Sequence, residues 1–377
     1  MMGSLLRFCG RASGVLTLVA LLLPIAASGQ SPTNLKEAFG GLFRLGTALG
    51  DTNLTATEQS LLLANFTNIT PGNSMKPVWT EPAENKYTFA AADALTAFAQ
   101  ARGLKVNGHC LVWDSQCPAW FFTDNGHPAG LDLVLKRMID HITTEVTHFK
   151  GKVVSWDVVN EALSDGPGYL KATRWQKSIG DDYIAQAFIA AAKADPQAEL
   201  YYNDYGIEIP TKRDKALRLI RDLKKQNIRI DGVGIQGHWQ LDQVPYQAIE
   251  EAIVAFQREG VKVMITELDL DVVPRQSGGA DIAAHEQGAD DPYASGCPPE
   301  ILQRQAEQYA RLFALFRKHA DAISRVTFWG LDDGRSWLNT WPRKRTNYPL
   351  LWDRSGQPKP ALAAVLGEAT AQKLQAP

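Results

Sequence analysis

Cysteine is scarce in this sequence. Its 377 residues hold four, Cys9, Cys110, Cys117 and Cys297, with no CxxC pair among them, which removes zinc-ribbon and dithiol redox chemistry and leaves no metal site to expect. Charge of one sign is lacking too. Lysine and arginine number 39 against 41 acidic residues, a formal net charge of −2, whereas nucleic-acid partners call for a strongly basic face. The short clusters Lys224–Lys225 and Arg343–Arg345 read as solvated surface. Beyond Ile25 there is no apolar run of about eighteen residues, so no transmembrane helix is expected in the remainder. Internal repeats, low-complexity tracts and interdomain linkers are missing as well.

What stands at the N-terminus has the pattern of a signal peptide over residues 1–29. Arg7 and Arg11 form a basic start, Val15–Ile25 an apolar run too short to span a bilayer, and Ala26–Gly29 a small-residue cleavage region. Residues 30–377 are then expected as one exported domain, secreted or periplasmic, acting as a monomer without membrane contact once the leader is removed. Loss of the two leader arginines would bring the net charge to about −4. Cys9 precedes the apolar run, the wrong side for lipid attachment. The other three cysteines are an odd set; export permits a Cys110–Cys117 disulfide, but sequence does not fix it.

Short β-branched or aromatic runs alternate with longer stretches of helical period. The strand candidates are Phe43–Leu49, Asn68–Thr70, Lys105–Trp113, Val153–Asn160, Glu199–Asn203, Gly232–Gln236, Val261–Glu267 and Arg325–Trp329. Helices are expected over Thr57–Ala64, Ala90–Ala101, Leu131–His148, Asp182–Ala194, Thr211–Gln226, Tyr246–Glu259, Pro299–His319 and Pro360–Gln372. Eight such units predict an α/β fold, a (β/α)8 TIM barrel with a single catalytic domain. An open doubly wound sheet is disfavoured because no Gly-rich phosphate loop follows the first strand. The longest irregular stretch, Arg275–Pro298, follows the seventh strand and reads either as a cleft wall or as a surface insertion.

Reacting groups of such a barrel belong at the carboxyl ends of its strands. Asn73 and Lys76 follow the second, His109 and Trp113 close the third, and Asn160 and Glu161 close the fourth. Asn203–Tyr205 end the fifth, Gln236 and His238 the sixth, Glu267 and Asp269 the seventh, and Trp329 the eighth. Two glutamates ending separate strands suit glycoside hydrolysis, which needs one carboxyl to protonate the leaving oxygen and another to attack or assist. A lone strand-end Glu would equally well be a salt-bridge partner. Here amides, histidines and tryptophans on neighbouring strands accompany the pair, the equipment for holding sugar rings.

These segments resemble, in order and across nearly the whole exported part, glycoside hydrolase family 10, the endo-β-1,4-xylanase family. Trp156–Ala162 (WDVVNEA) is similar to its acid/base strand and Ile265–Leu270 (ITELDL) to its nucleophile strand. Gly108–Trp120 (GHCLVWDSQCPAW), Asn73–Lys76 (NSMK), Asn203–Glu208 (NDYGIE), Gly234–His238 (GIQGH) and Trp329–Trp337 extend the resemblance. It implies a retaining mechanism with Glu161 as acid/base and Glu267 as nucleophile, and no cofactor. His238 and Asp269 would orient the nucleophile, and Asn160 would hold the sugar 2-hydroxyl, the lesser reading being that it only caps the following helix. Lys76, Asn73, His109, Trp113 and Gln116 would bind sugars on the non-reducing side, with Gln236 also in the site. Tyr205 would offer a stacking face beyond the cleaved bond, and Trp329 and Trp337 would cover the reacting ring. Trp337 and Gln116 would crowd a glucose hydroxymethyl and so favour xylan. Xylan and xylo-oligosaccharides are the implied partners.

Three positions depart from the family pattern. Gly72 stands where a glutamate is usual, Asp114 where a histidine is, and Gly206 where an asparagine is. Distal sugar binding is therefore expected to differ while the reaction holds. Two rival readings are a barrel glycosidase acting on cellulose or mixed-linkage glucan, and a non-catalytic glycan-binding protein. The first is separated by substrate; the second leaves the paired glutamates without a purpose.

Overall fold

The alternation becomes eight parallel strands, each followed by a helix. In the computed structural model, which describes Met1 and residues 32–275, 280–281 and 290–371, the strands are β1 Arg44–Leu49, β2 Asn68–Pro71, β3 Lys105–Val112, β4 Val153–Asn160, β5 Glu199–Asp204, β6 Gly232–Ile235, β7 Lys262–Asp271 and β8 Ile323–Phe328. The helices after them are α1 Ala56–Asn65, α2 Ala90–Gln100, α3 Leu131–His148, α4 Tyr183–Ala194, α5 Pro210–Lys225, α6 Tyr246–Arg258, α7 Pro299–Lys318 and α8 Pro360–Ala371. Strands pair in chain order, and β8 pairs with both β7 and β1, which closes a single-domain (β/α)8 barrel. Apart from Met1, the leader expected over residues 1–29 lies outside the described residues.

Local sequence explains each piece. At the start of α1, Thr55 caps the Glu58 backbone N–H while the Glu58 side chain accepts from Thr55 N–H, a reciprocal pair that fixes where the helix begins. In α6 the buried side chains Ile249, Ala252, Ile253 and Phe256 fall at helical spacing on one face. Burying a large side chain of this kind contributes about 1.5–3 kcal/mol, and Phe256→Ala would remove the largest side chain of that stripe. On β3, Gly108 is required by packing, because a Cβ there would lie 2.1 Å from Trp156 Cε3.

The barrel interior carries a buried polar column. Arg325 Nη1 donates to Ser155 Oγ at 3.5 Å, Ser155 Oγ donates to Asn107 Oδ1, and Asn107 Nδ2 donates to Asp157 Oδ2 at 3.2 Å. The same Asp157 oxygen bonds His109 Nδ1 at 2.9 Å. These contacts link the packed floor of the barrel to a residue at its mouth.

β7 runs four residues past the expected Glu267. A short strand, His238–Gln240, pairs in parallel with Asp269–Asp271 and supplies the extra ladder. Short helices Pro77–Thr80 and Arg174–Ile179 also appear within the loops. Of the expected eighth helix, Gln372 lies outside the described residues. Part of Arg275–Pro298 does too; Ala280 from this stretch lines the central cavity, and the Asp291 carboxylate accepts from Thr346 N–H at 2.8 Å. Cys110, Cys117 and Cys297 are free thiols. Among the described residues no helix is long and apolar enough to cross a membrane.

Candidate active site

A cavity of about 620 Å³ opens at the carboxyl ends of the strands. Its wall brings together Asn73, Lys76, His109, Trp113, Gln116, Asn160, Gln236, His238, Trp329 and Trp337 with Glu161 and Glu267. Asp269 stands one layer back, behind His238. Tyr205 does not join the wall. Its buried ring carries Lys212 Nζ 3.7 Å from the centroid, and its hydroxyl donates to Asp165 Oδ2 at 2.7 Å while accepting from Lys171 Nζ at 2.9 Å.

Glu161 follows β4 directly and has a left-handed backbone, φ 57°, an uncommon conformation for a residue with a side chain. Its N–H donates to Asn203 O at 2.9 Å, which holds the turn in place. Trp113 Nε1 donates to Glu161 Oε2 at 2.9 Å and Gln236 Nε2 to Oε1 at 3.0 Å. Burial pushes its pKa above the ordinary carboxyl value, and the nearby Asp204 and Glu267 charges add to this against Lys171 and the Gln236 bond. Glu161 is thus suited to carry a proton.

Glu267 is just as buried and shifts the opposite way. Burial raises its pKa, but the His238 hydrogen bond, the His109 and His238 rings and the Asn203 amide together hold it below the ordinary value. Asn203 Nδ2 donates to Glu267 Oε1 at 2.7 Å, and His238 Nε2 lies 3.1 Å from Oε2. On its far side His238 Nδ1 meets Asp269 Oδ1 at 2.9 Å, and Asp269 Oδ2 accepts from Trp337 Nε1 at 2.8 Å. Burial opposes a charge on His238, yet the Asp269 and Glu267 carboxylates raise its pKa to about 9.

Asn203, named at the end of the fifth strand but given no role, is the penultimate residue of β5. The signal lay in its place at a strand end. It fixes both halves of the site, since the same Nδ2 donates to Asn160 Oδ1 at 3.0 Å and Thr266 Oγ1 donates to Asn203 Oδ1 at 2.6 Å. Asn160 Nδ2 in turn faces Glu161 Oε1 at 3.3 Å. The helix-cap reading of Asn160 fails, because the next helix starts only at Arg174. Lys76 Nζ donates to Asn73 Oδ1 at 3.0 Å and lies 4.9 Å from the Trp113 ring centroid.

The three departures have local explanations. Gly72 lines the cavity, and a Cβ there would meet only Leu49 O, at 3.7 Å, so the missing side chain leaves room. Asp114 accepts from Arg174 Nε at 2.8 Å. Gly206 has φ +66°, the left-handed region that asparagine also tolerates.

Two buried carboxyls at the mouth of a (β/α)8 barrel, one with its pKa pushed up and the other with its pKa drawn down, are the equipment of a glycoside hydrolase of the two-carboxylate kind. Comparison with known proteins then identifies which: the profile of Glycosyl hydrolase family 10 matches residues 34–368, and the chain belongs to that family. Endo-1,4-beta-xylanase A of Xylanibacter ruminicola is 41% identical over 355 residues, covering 92% of this chain and 96% of that protein. Among solved structures, a family 10 endoxylanase retrieved from sugarcane soil metagenome superposes with a TM-score of 0.84 at 37% identity, covering 88% of this chain and 99% of that one. A mutant structure in complex with xylotriose gives a TM-score of 0.81 at 34% identity, covering 89% and 99%.

Proposed function

We propose that this protein hydrolyses internal β-1,4-xylosidic bonds of xylan by a retaining double displacement. The observation that carries the reading is the pair of buried carboxyls Glu161 and Glu267 on one cavity wall, whose surroundings push their pKa values in opposite directions. In the first step the Glu161 carboxyl gives its proton to the glycosidic oxygen as that bond breaks, and a Glu267 oxygen bonds the anomeric carbon. The leaving chain departs with a new hydroxyl, and a covalent glycosyl-enzyme remains. In the second step the Glu161 carboxylate takes a proton from water, whose oxygen attacks the anomeric carbon and frees Glu267. Two inversions give net retention.

The neighbours divide the remaining work. His238, backed by Asp269, and Asn203 hold the Glu267 carboxylate in its ionised form and in a fixed orientation. Asn160 stands beside Glu161, where its amide can reach a 2-hydroxyl, a contact that strengthens as oxocarbenium character develops. Trp337 and Gln116 on the wall limit the space for a hydroxymethyl and select xylose over glucose. Xylo-oligosaccharides are bound as well as the polymer. The chain acts as a monomer after export and removal of its leader; Arg7, Arg11 and the apolar run after them support the export part of that reading.

Reducing-sugar release from xylan, with cellulose in parallel, tests the proposal on wild type, Glu161→Ala and Glu267→Ala. Xylan activity should fall by a factor of about 1,000 or more in both variants, the scale on which loss of a catalytic group is felt. Full activity in either variant, or wild-type activity confined to cellulose, would refute it.

A further inference from the structure

Trp79 is the exception among the ten tryptophans of the chain. It is 57% exposed, while the other nine are buried or half-buried. An indole belongs where its apolar faces have a partner, and leaving one in water forgoes a large burial term. Among the described residues no other ring stacks on Trp79.

The residue stands on a firm base. It lies in the short helix Pro77–Thr80, whose first and last residues are buried. Thr80 Oγ1 donates to Glu145 Oε2 at 3.0 Å. Val78 N–H donates to Gln116 O at 3.1 Å, and Trp79 N–H donates to Lys76 O at 2.8 Å. Lys76 and Gln116, the two residues that pin this backbone, both line the cavity. About one helical turn, roughly 5 Å along the axis, separates Trp79 from Lys76.

Val78 beside it is exposed at 36%, and the half-buried Trp120, stacked on Phe121, is tied to the same segment by its Nε1 donating to Glu81 O at 3.1 Å. On the cavity side, Gly72 contributes no side chain to the wall. A sugar chain leaving on this side finds one polar contact missing at Gly72, and the exposed Trp79 ring, held by the backbone bonds to Lys76 and Gln116, offers a flat apolar face. The C–H face of a xylose ring is the natural complement of that surface, being neutral and itself flat.

We infer that Trp79 is an outlying platform for the xylan chain, stacking on a xylose unit that extends past the cavity on the Lys76–Gln116 side. The inference rests on the cavity being the xylan site. Steady-state rates of wild type, Trp79→Ala and Trp79→Phe on polymeric xylan and on xylotriose test it through the ratio of the two kcat/KM values. The polymer-to-trimer ratio should fall about three- to tenfold in Trp79→Ala, the scale of one aromatic stacking contact, and largely recover in Trp79→Phe. In a Glu161→Gln background, which halts turnover, retention on insoluble xylan should weaken by a similar factor when Trp79 is replaced by Ala. A proportional loss on both substrates would show a structural role and overturn the platform. Ratio and retention both unmoved would do the same, and would leave the exposed ring to a partner protein. Absence of xylan activity in all three proteins would instead refute the cavity reading beneath it.

Discussion

At the scale of single residues, the site works by making one carboxyl reluctant and the other willing to ionise, and His238 is the hinge of that difference. Its folded pKa, about 9, lies above the unperturbed value of about 6.5, so folding favours the protonated ring. The stabilisation it brings is complete below about pH 6.5 and fades as pH rises through about 9. Thermal unfolding followed from pH 6 to 10 should show wild type losing up to on the order of 3 kcal/mol across that window. A His238→Gln variant should show a flatter profile. Xylanase activity should decline over the same range, because the neutral ring no longer supports the charge on Glu267. An identical pH dependence in both proteins would mean that the His238 proton is not coupled to folding.

Between elements, Arg335, itself on the cavity wall, makes a contact that reaches α1. Arg335 Nε donates to Glu58 Oε1 and Arg335 Nη2 to Asn53 O at 2.8 Å, tying the loop after β8, which carries Trp337, to the start of α1. The Arg335 hydrogen bond, working against burial, lowers the Glu58 pKa to about 2. The associated stability is present above about pH 4.5 and lost as pH falls through about 2. Glu58→Gln should cost no more than about 1 kcal/mol at neutral pH, because the pair is partly solvated. It should also raise KM on xylan several-fold by loosening the wall. Urea unfolding at pH 7 and pH 2 checks the first expectation; a stability gap that persists unchanged at pH 2 would count against the ion pair.

The elements show where sequence reading succeeds. The eight strands and eight helices were legible because each strand is a short buried run and each helix has an apolar face. The short strand His238–Gln240 was not, since three residues of mixed polarity carry no period and exist as a strand only through pairing with β7. The polar column from Arg325 to His109 was equally hidden. Its members lie on strands whose alternation signals burial but not what fills the barrel. Glu161 and Glu267 were legible by place and company, whereas Asn203 needed the three-dimensional convergence of β4, β5 and β7 to show its role.

For the whole molecule, the decisive question is what the chain needs in order to fold. Every residue of the cavity and of the closing strands lies between Arg44 and Trp341. A protein made as residues 30–377 should therefore match one made as residues 1–377 in melting temperature and in kcat/KM on xylan. Side-by-side calorimetry and kinetics would decide this, and N-terminal sequencing of the protein from cells expressing residues 1–377 would test the proposed cleavage among Ala26–Gly29. A mature chain that retained Arg7 and Arg11 would disprove the leader.

The pairing of His238–Gln240 with β7 also bears on how this barrel can be rearranged. His238 and Asp269 are register partners across that ladder, and Glu267 lies two residues before Asp269. The nucleophile, the imidazole that steadies it and the carboxylate behind that imidazole are thus inherited as one backbone unit spanning two βα modules. Exchange of modules between related barrels would preserve chemistry only where the crossover leaves β6, its trailing strand and β7 from a single parent.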